Sequence, residues 1–346
     1  MKSVRDDPWF ILMKAIIKYP DGLWPNLYAL SYILLAYIGG FSLITYDALA
    51  VNFAGAILLA HSMVIAAYMV HECAHNTIFK SNKANARLGG LLNWITGACY
   101  GDYEDIRHKH FRHHMDRADV VAFDYRPRFA AHPWFMKLLA ALEWFYIPAV
   151  EIVMHLLVLV VPFILPSRRH RRQRVLTVLT IRLVIFSVLI WYAPQVALFY
   201  PLAYLVFITV MRFMDTHQHT YELLETLEQE RGKEVEQFDR DFEQRNTFSN
   251  VFSLGHPWLN LLVLNFGYHN AHHIRPIEPW YRLPALHHEV FGDDCAQVLP
   301  IAHLFRAYHR FRVPRMLNAD ASDSGVAERR GEGFIGVDGV SFLTAH

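Results

Sequence analysis

Residues 48–75 read ALAVNFAGAILLAHSMVIAAYMVHECAH. From Ala48 to Val70 no Asp, Glu, Lys or Arg occurs in 23 residues, more than the roughly 20 that a helix needs to cross a bilayer. The run ends directly in His71-Glu72-Cys73-Ala74-His75, whose two histidines, four apart, share one helix face. Upstream, Leu23 to Tyr46 is a second charge-free stretch of 24 residues, and Asp47 between the two marks a tight turn. The chain therefore crosses and returns, delivering His71 to the side on which it began. His61, ten residues before His71, falls on another face and reads as a hydrogen-bonded interior histidine.

The imidazoles at the end of this hairpin have counterparts. His110, His113 and His114 form an H-x-x-H-H box, and His269, His272 and His273 repeat it. On a helix each box presents a tight cluster. Imidazole nitrogen suits iron, zinc, copper or nickel. Eight such ligands are twice what one tetrahedral zinc requires, so the count points to two metal ions. His108, two residues before His110, points roughly 200° away on a helix and is excluded.

The formal charge is +1 from 33 basic and 32 acidic residues, which gives no electrostatic basis for nucleic-acid binding. Cys73, Cys99 and Cys295 are too few and too scattered for a disulfide framework or a cysteine-held cluster. No signal peptide is read at the N-terminus. Residues 7–18 read as a helix in the membrane interface. Gly89 to Gly101 is too short to span and reads as a helix under the metal site. Pro133 to Leu165 is apolar but interrupted by Lys137, Glu143, Pro148, Glu151, His155 and Pro162. Recurrent Pro-Trp pairs, Pro133-Trp134 among them, favour interfacial helices there.

Arg168, Arg169, Arg171, Arg172 and Arg174 then precede a second hairpin, 175–193 and 196–214, turning at Pro194. Positive loops stay cytoplasmic, and the opposite turns lack Lys and Arg, so all boxes and both termini are expected on the cytoplasmic face. Arg182 inside a span is tolerable if it snorkels or faces protein. Residues 221–245 read as a solvated helical linker, and 259–268 as an apolar lead into the third box.

The expected fold is an all-α integral membrane protein. Its four transmembrane helices form two hairpins, and a cytosolic helical cap holds a His-rich two-metal site. Residues 1–318 form this domain, and 319–346 a polar, loosely ordered tail.

Two other chemistries compete. His71-Glu72-Cys73-Ala74-His75 fits H-E-x-x-H, in which Glu72 would serve an intramembrane zinc protease as base, but this leaves both H-x-x-H-H boxes unused. A divalent-metal carrier must release its ion and rarely needs so many neutral ligands.

The three boxes, placed after a first hairpin, after a polar connection and after a second hairpin, resemble those of the membrane fatty acid desaturase superfamily. That superfamily includes lipid hydroxylases and carotenoid ketolases and hydroxylases. Asn265-Phe266-Gly267-Tyr268-His269-Asn270-Ala271-His272-His273, followed by Pro279-Trp280-Tyr281-Arg282-Leu283-Pro284, is similar to the end of many bacterial members. The resemblance covers most of residues 20–290. It implies a bacterial inner-membrane enzyme with two non-haem irons and O2 as co-substrate, most simply a fatty acid desaturase. A lipid or carotenoid hydroxylase or ketolase is the alternative.

It further implies a lipid or acyl substrate and a separate electron donor (ferredoxin, rubredoxin or cytochrome), with the arginines at 168–174 either docking that donor or only setting orientation. The implied metal ligands are His71, His75, His110, His113, His114, His269, His272 and His273. The family commonly adds a ninth histidine beyond the fourth span. Here His219 is taken, with Asp215 on its face holding a metal-bound water or an imidazole, while His217 points away. Glu72, Asp105, Asp116 and Asp119 are further carboxylates for that supporting role.

Overall fold

The computed structural model describes residues 15–221, 224–227, 239–292, 294–317, 325–339 and 341–345. Most of the interfacial helix read over 7–18 lies outside the described residues. Two long apolar helices, α1 (Leu23–Ile44) and α2 (Leu49–Ala74), follow one another with a four-residue turn. They approach closely because small residues meet: a Cβ on Gly40 would lie 2.9 Å from the Leu59 amide nitrogen, and one on Gly55 would lie 2.8 Å from the Gly40 carbonyl oxygen. Small residues at such crossings let helix backbones touch where hydrocarbon offers no hydrophobic drive.

The polar stretch then folds as α3 (Asn82–Thr96) and α4 (Tyr103–Asp116), followed by the short strand β1 (Asp119–Val121). After α5 (Arg126–Ala130) come α6 (Pro133–Trp144) and α7 (Ala149–Ile164). These two are bent by 119° at their break. The second long pair is α8 (Arg172–Tyr192) and α9 (Val196–Thr216), turning around Pro194. Among the described residues, four helices are thus long and apolar enough to cross a membrane. Arg182 faces protein, donating to the Trp94 carbonyl at 2.5 Å and the Tyr200 hydroxyl at 3.3 Å.

Beyond α9 lie the strand β2 (Leu224–Thr226), α10 (Arg240–Arg245), α11 (His269–Ile274), α12 (Leu283–Phe291) and α13 (Ile301–Arg310). Two expectations fail here. Within residues 221–245, β2 pairs in parallel with β1, and Glu225 and Glu243 are buried, so the described part is not a solvated linker. Nor do the described residues of the tail, 325–339 and 341–345, lie apart from the core. Phe334, Phe342, Leu343, Thr344 and Ala345 are buried, and Asp338 pairs with the buried Arg212 of α9 through two 2.7 Å contacts. A buried guanidinium demands a hydrogen-bonded counter-ion, and the tail supplies it.

Candidate metal centre

All nine sequence-selected imidazoles converge. His71 and His75 end α2, His110, His113 and His114 occupy the last two turns of α4, and His269, His272 and His273 lie on α11. His219 arrives from the segment beyond α9, where it forms an antiparallel bridge with Thr247. His71, His113, His114, His272 and His273 stand in the last turns of their helices. Those ends carry partial negative charge, which favours a cation between them.

The nitrogens divide into two sets, each within 4.8 Å: His71, His75, His110, His114 and His272 in one, His113, His219, His269 and His273 in the other. Helix periodicity explains the split. In α4 the i,i+4 pair His110/His114 serves the first set, and His113, rotated by about 100° from His114, reaches the second. In α11 the roles reverse: His269/His273 serve the second set and His272 the first. An H-x-x-H-H box is thus a device for one helix to reach two neighbouring points.

Hydrogen bonding alone does not account for these contacts. The Nε2 atoms of His219, His269 and His273 form a triangle with sides of 3.0, 3.0 and 3.1 Å. His110 Nε2 lies 2.6 Å from that of His75 and 3.1 Å from that of His114. A neutral imidazole has one donor, and rings whose Nδ1 carries the proton face each other with lone pairs. His113 Nδ1 donates to the Ala118 carbonyl at 2.8 Å, and His273 Nδ1 to the Glu243 carboxylate at 2.8 Å, which leaves both Nε2 atoms as acceptors. Two ligands at about 2.1 Å from a shared metal and at right angles lie about 3.0 Å apart, so the spacing fits nitrogens around a common cation.

Burial, reinforced by the neighbouring imidazoles, holds His75, His110, His114, His219, His269 and His272 well below the usual imidazole range. His113 is pushed down to about 3, mainly by burial. The rings are therefore neutral, the state in which nitrogen binds a metal.

The acidic residues fall out differently. Glu72 Oε2 accepts from Thr77 Oγ1 at 2.5 Å and from the Trp280 amide at 3.2 Å, and Oε1 lies 3.6 Å from His71 Nδ1. It ties the first box to the segment after the third and stands beside one imidazole. Asp105 binds Arg171, and Asp116 binds Arg112. Asp215 does not share a helix face with His219, because α9 stops at Thr216. The carboxylate near His219 is Asp119, 3.7 Å from its Nδ1 and pushed up to about 7 by burial. Asp215 instead lines a small cavity against the imidazoles, together with Lys109, Gln218, Phe266 and Phe342.

His217 packs against Phe334 and Tyr308, outside both sets, and His108 is exposed. Sequence reasoning missed Glu243, which groups with His114 and His273. Burial tends to raise its pKa, but His273 and Arg117 hold it below the usual carboxylate range. Its only signal was a place in an acidic run that reads as solvated.

Residues 48–305 match the family model for fatty acid desaturases. The chain belongs to the fatty acid desaturase family. No curated protein and no solved structure matches it. Family membership together with the four apolar helices makes this desaturase-family chain an integral membrane protein, and its histidine sets are able to bind metal.

Proposed function

We propose that the chain is an O2-dependent membrane oxidoreductase that holds two irons and attacks unactivated C–H bonds of a lipid acyl chain, as a desaturase. The observation that carries this reading is the division of nine imidazoles into sets of five and four. His71, His75, His110, His114 and His272 would hold one iron, and His113, His219, His269 and His273 the other. Bound there, the iron pair supplies the oxygen activation that hydrogen abstraction requires.

The chain's own groups aim the ligands and set their tautomers. Ala118 and Glu243 fix the protons of His113 and His273 on Nδ1, Glu72 stands behind His71, and Asp119 behind His219. Phe266 packs on His71 and His269, and Phe342 on His71 and His110, so the neighbourhood is apolar and sheltered from bulk water. A lipid substrate is supported by an apolar groove of about 590 Å³, lined by Tyr28, Ile65, Leu261, Leu264 and Trp280 among others; Asn265 of its lining directly precedes Phe266, which lines the metal cavity.

The zinc-protease alternative loses its base, since Glu72 is held by Thr77 and Trp280. Electrons come from a separate protein. Arg171, Arg172 and Arg174 bind Asp102 and Asp105, Pro162, and Gly101 within the chain, so the arginine run serves orientation and folding first.

Anaerobically purified protein is expected to hold about two irons per chain, and His272→Ala to lower both iron and turnover. Mass spectrometry of host lipids reads the reaction. Loss of two hydrogens marks desaturation, and gain of one oxygen marks hydroxylation. A single zinc with activity surviving His272→Ala would overturn the reading.

A further inference from the structure

The C-terminal segment reaches the metal centre itself. The Phe342 ring centroid lies 5.9 Å from those of both His71 and His110. Phe342 also lines the cavity that His110, His113, His219 and His269 open onto. That cavity holds about 40 Å³. On this measure one water needs about 10–15 Å³, so dioxygen or a few waters fit and a run of methylenes does not. If a lipid carbon is to reach the metals, part of the lining has to move.

The lining residues differ in what holds them. The imidazoles of α2 and α4 are carried on long helices, and Phe266 stacks on Tyr68 in the core at 4.4 Å. Phe342 stands on a segment without helix or strand among its described residues, held by the burial of Phe334, Phe342, Leu343 and Ala345 in the core and by polar contacts. Lys109 Nζ donates to the Ser341 carbonyl at 2.6 Å, and to the Thr344 carbonyl and hydroxyl at 3.2 Å each. The Gly339 amide donates to Glu151 Oε1 at 3.1 Å, and Asp338 pairs with Arg212. The backbone at Gly336 and Gly339 is left-handed, with φ of 75° at both. At Gly336 a Cβ would lie 2.4 Å from Thr216, so only glycine passes there. Such a grip is specific, yet each of its bonds can be exchanged for one to water.

We propose that residues 334–339 and 341–345 belong to a strap over the metal chamber, and that Phe342 occupies the place a substrate chain takes, so that the strap withdraws to admit it. Phe342 is then a specificity-determining residue: a chain reaches the metals only if its binding offsets the strap's contacts. This inference rests on the lipid reading of the site.

The test uses the full chain in detergent with Cys295→Ser and Ser341→Cys, a near-isosteric change that retains the 341 carbonyl held by Lys109. Cys73 and Cys99, both fully buried, report opening of the core in the same molecule. A withdrawing strap exposes Cys at 341 to a maleimide about 100-fold faster than Cys73 and Cys99, because local opening is far cheaper than global unfolding. Equal rates would mean that the segment moves only when the protein unfolds, and the proposal would fall.

In a second measurement, Phe342→Ala is expected to let a chelator strip iron about tenfold faster than from the unaltered chain, with thermal unfolding still cooperative. An unchanged stripping rate would remove Phe342 as the stopper. The labelling needs neither metal nor substrate. Fast labelling in a chain whose expression leaves host lipids unaltered therefore keeps the strap and rejects the lipid reading.

Discussion

His219 and His217 are two residues apart, and one joins the imidazole cluster while the other packs on Phe334. Box grammar explains why the difference matters. Boxes two and three give the second set three nitrogens, His113, His269 and His273, against five in the first once His71 and His75 are counted. His219 makes that second set up to four. His219→Gln is expected to lower iron from about two to about one per chain and to abolish turnover, while His217→Gln retains most of both. Metal analysis of the two variants decides it, and the reverse pattern would transfer the ligand role to His217.

His219 was singled out by its position past the fourth span and by its spacing from Asp215; it does join the imidazole cluster, but the spacing argument fails. Spacing can speak only of neighbours on one helix, and α9 ends before His219, so the pairing with Asp215 fails. The carboxylates that do back the imidazoles, Asp119 and Glu243, come from other segments of the chain. Nothing local announces them.

At the scale of elements, the first two long helices were readable because a charge-free run of more than 20 residues has few other uses, and the second pair, despite Arg182 and Arg212, as two long apolar runs turning at Pro194. The short polar segments were not. β1 and β2 are three residues each, and a pairing between positions 119 and 224 leaves no periodicity in either stretch. The tail's Gly, Asp and Ser read as disorder, whereas Gly325, Gly331, Gly333, Gly336 and Gly339 all take left-handed backbone, which lets the chain thread against α9 and the imidazoles. The same limit applies to Gly39-Gly40, where the sequence does not say which glycine faces the partner helix. Gly40 does, and a Cβ on Gly39 would meet only Leu58 at an ordinary 3.7 Å. Gly40→Leu is therefore expected to destabilise the α1–α2 hairpin by about 1–3 kcal/mol or more, through overpacking, and Gly39→Leu to be close to neutral. Thermal melts of the detergent-solubilised variants test this, and equal melting points would place the crossing elsewhere.

For the molecule as a whole, contacts tie the metal centre to the arginine run before α8, and the proposed cytoplasmic placement of the imidazoles rests on that tie. Arg171, just before α8, donates to Asp102 at 2.5 Å and to Asp105 at 2.9 Å, and both carboxylates lie at the start of the helix that carries the second box. Arg174 reaches the carbonyls of Gly101 and Cys99. The arginine run and the metal centre are thus on one face, whatever path α6 and α7 take between them. Arginine-rich connections stay in the cytoplasm, while the turns at 45–48 and 193–195 carry no Lys or Arg. Intact cells should therefore let a membrane-impermeant maleimide reach Asp47→Cys, an exposed position in the first turn, and not His170→Cys, equally exposed within the arginine run, until the membrane is permeabilised. Labelling of His170→Cys in intact cells would put the imidazoles on the outer face, out of reach of a cytoplasmic electron donor, and the proposed oxidoreductase would lose its source of electrons.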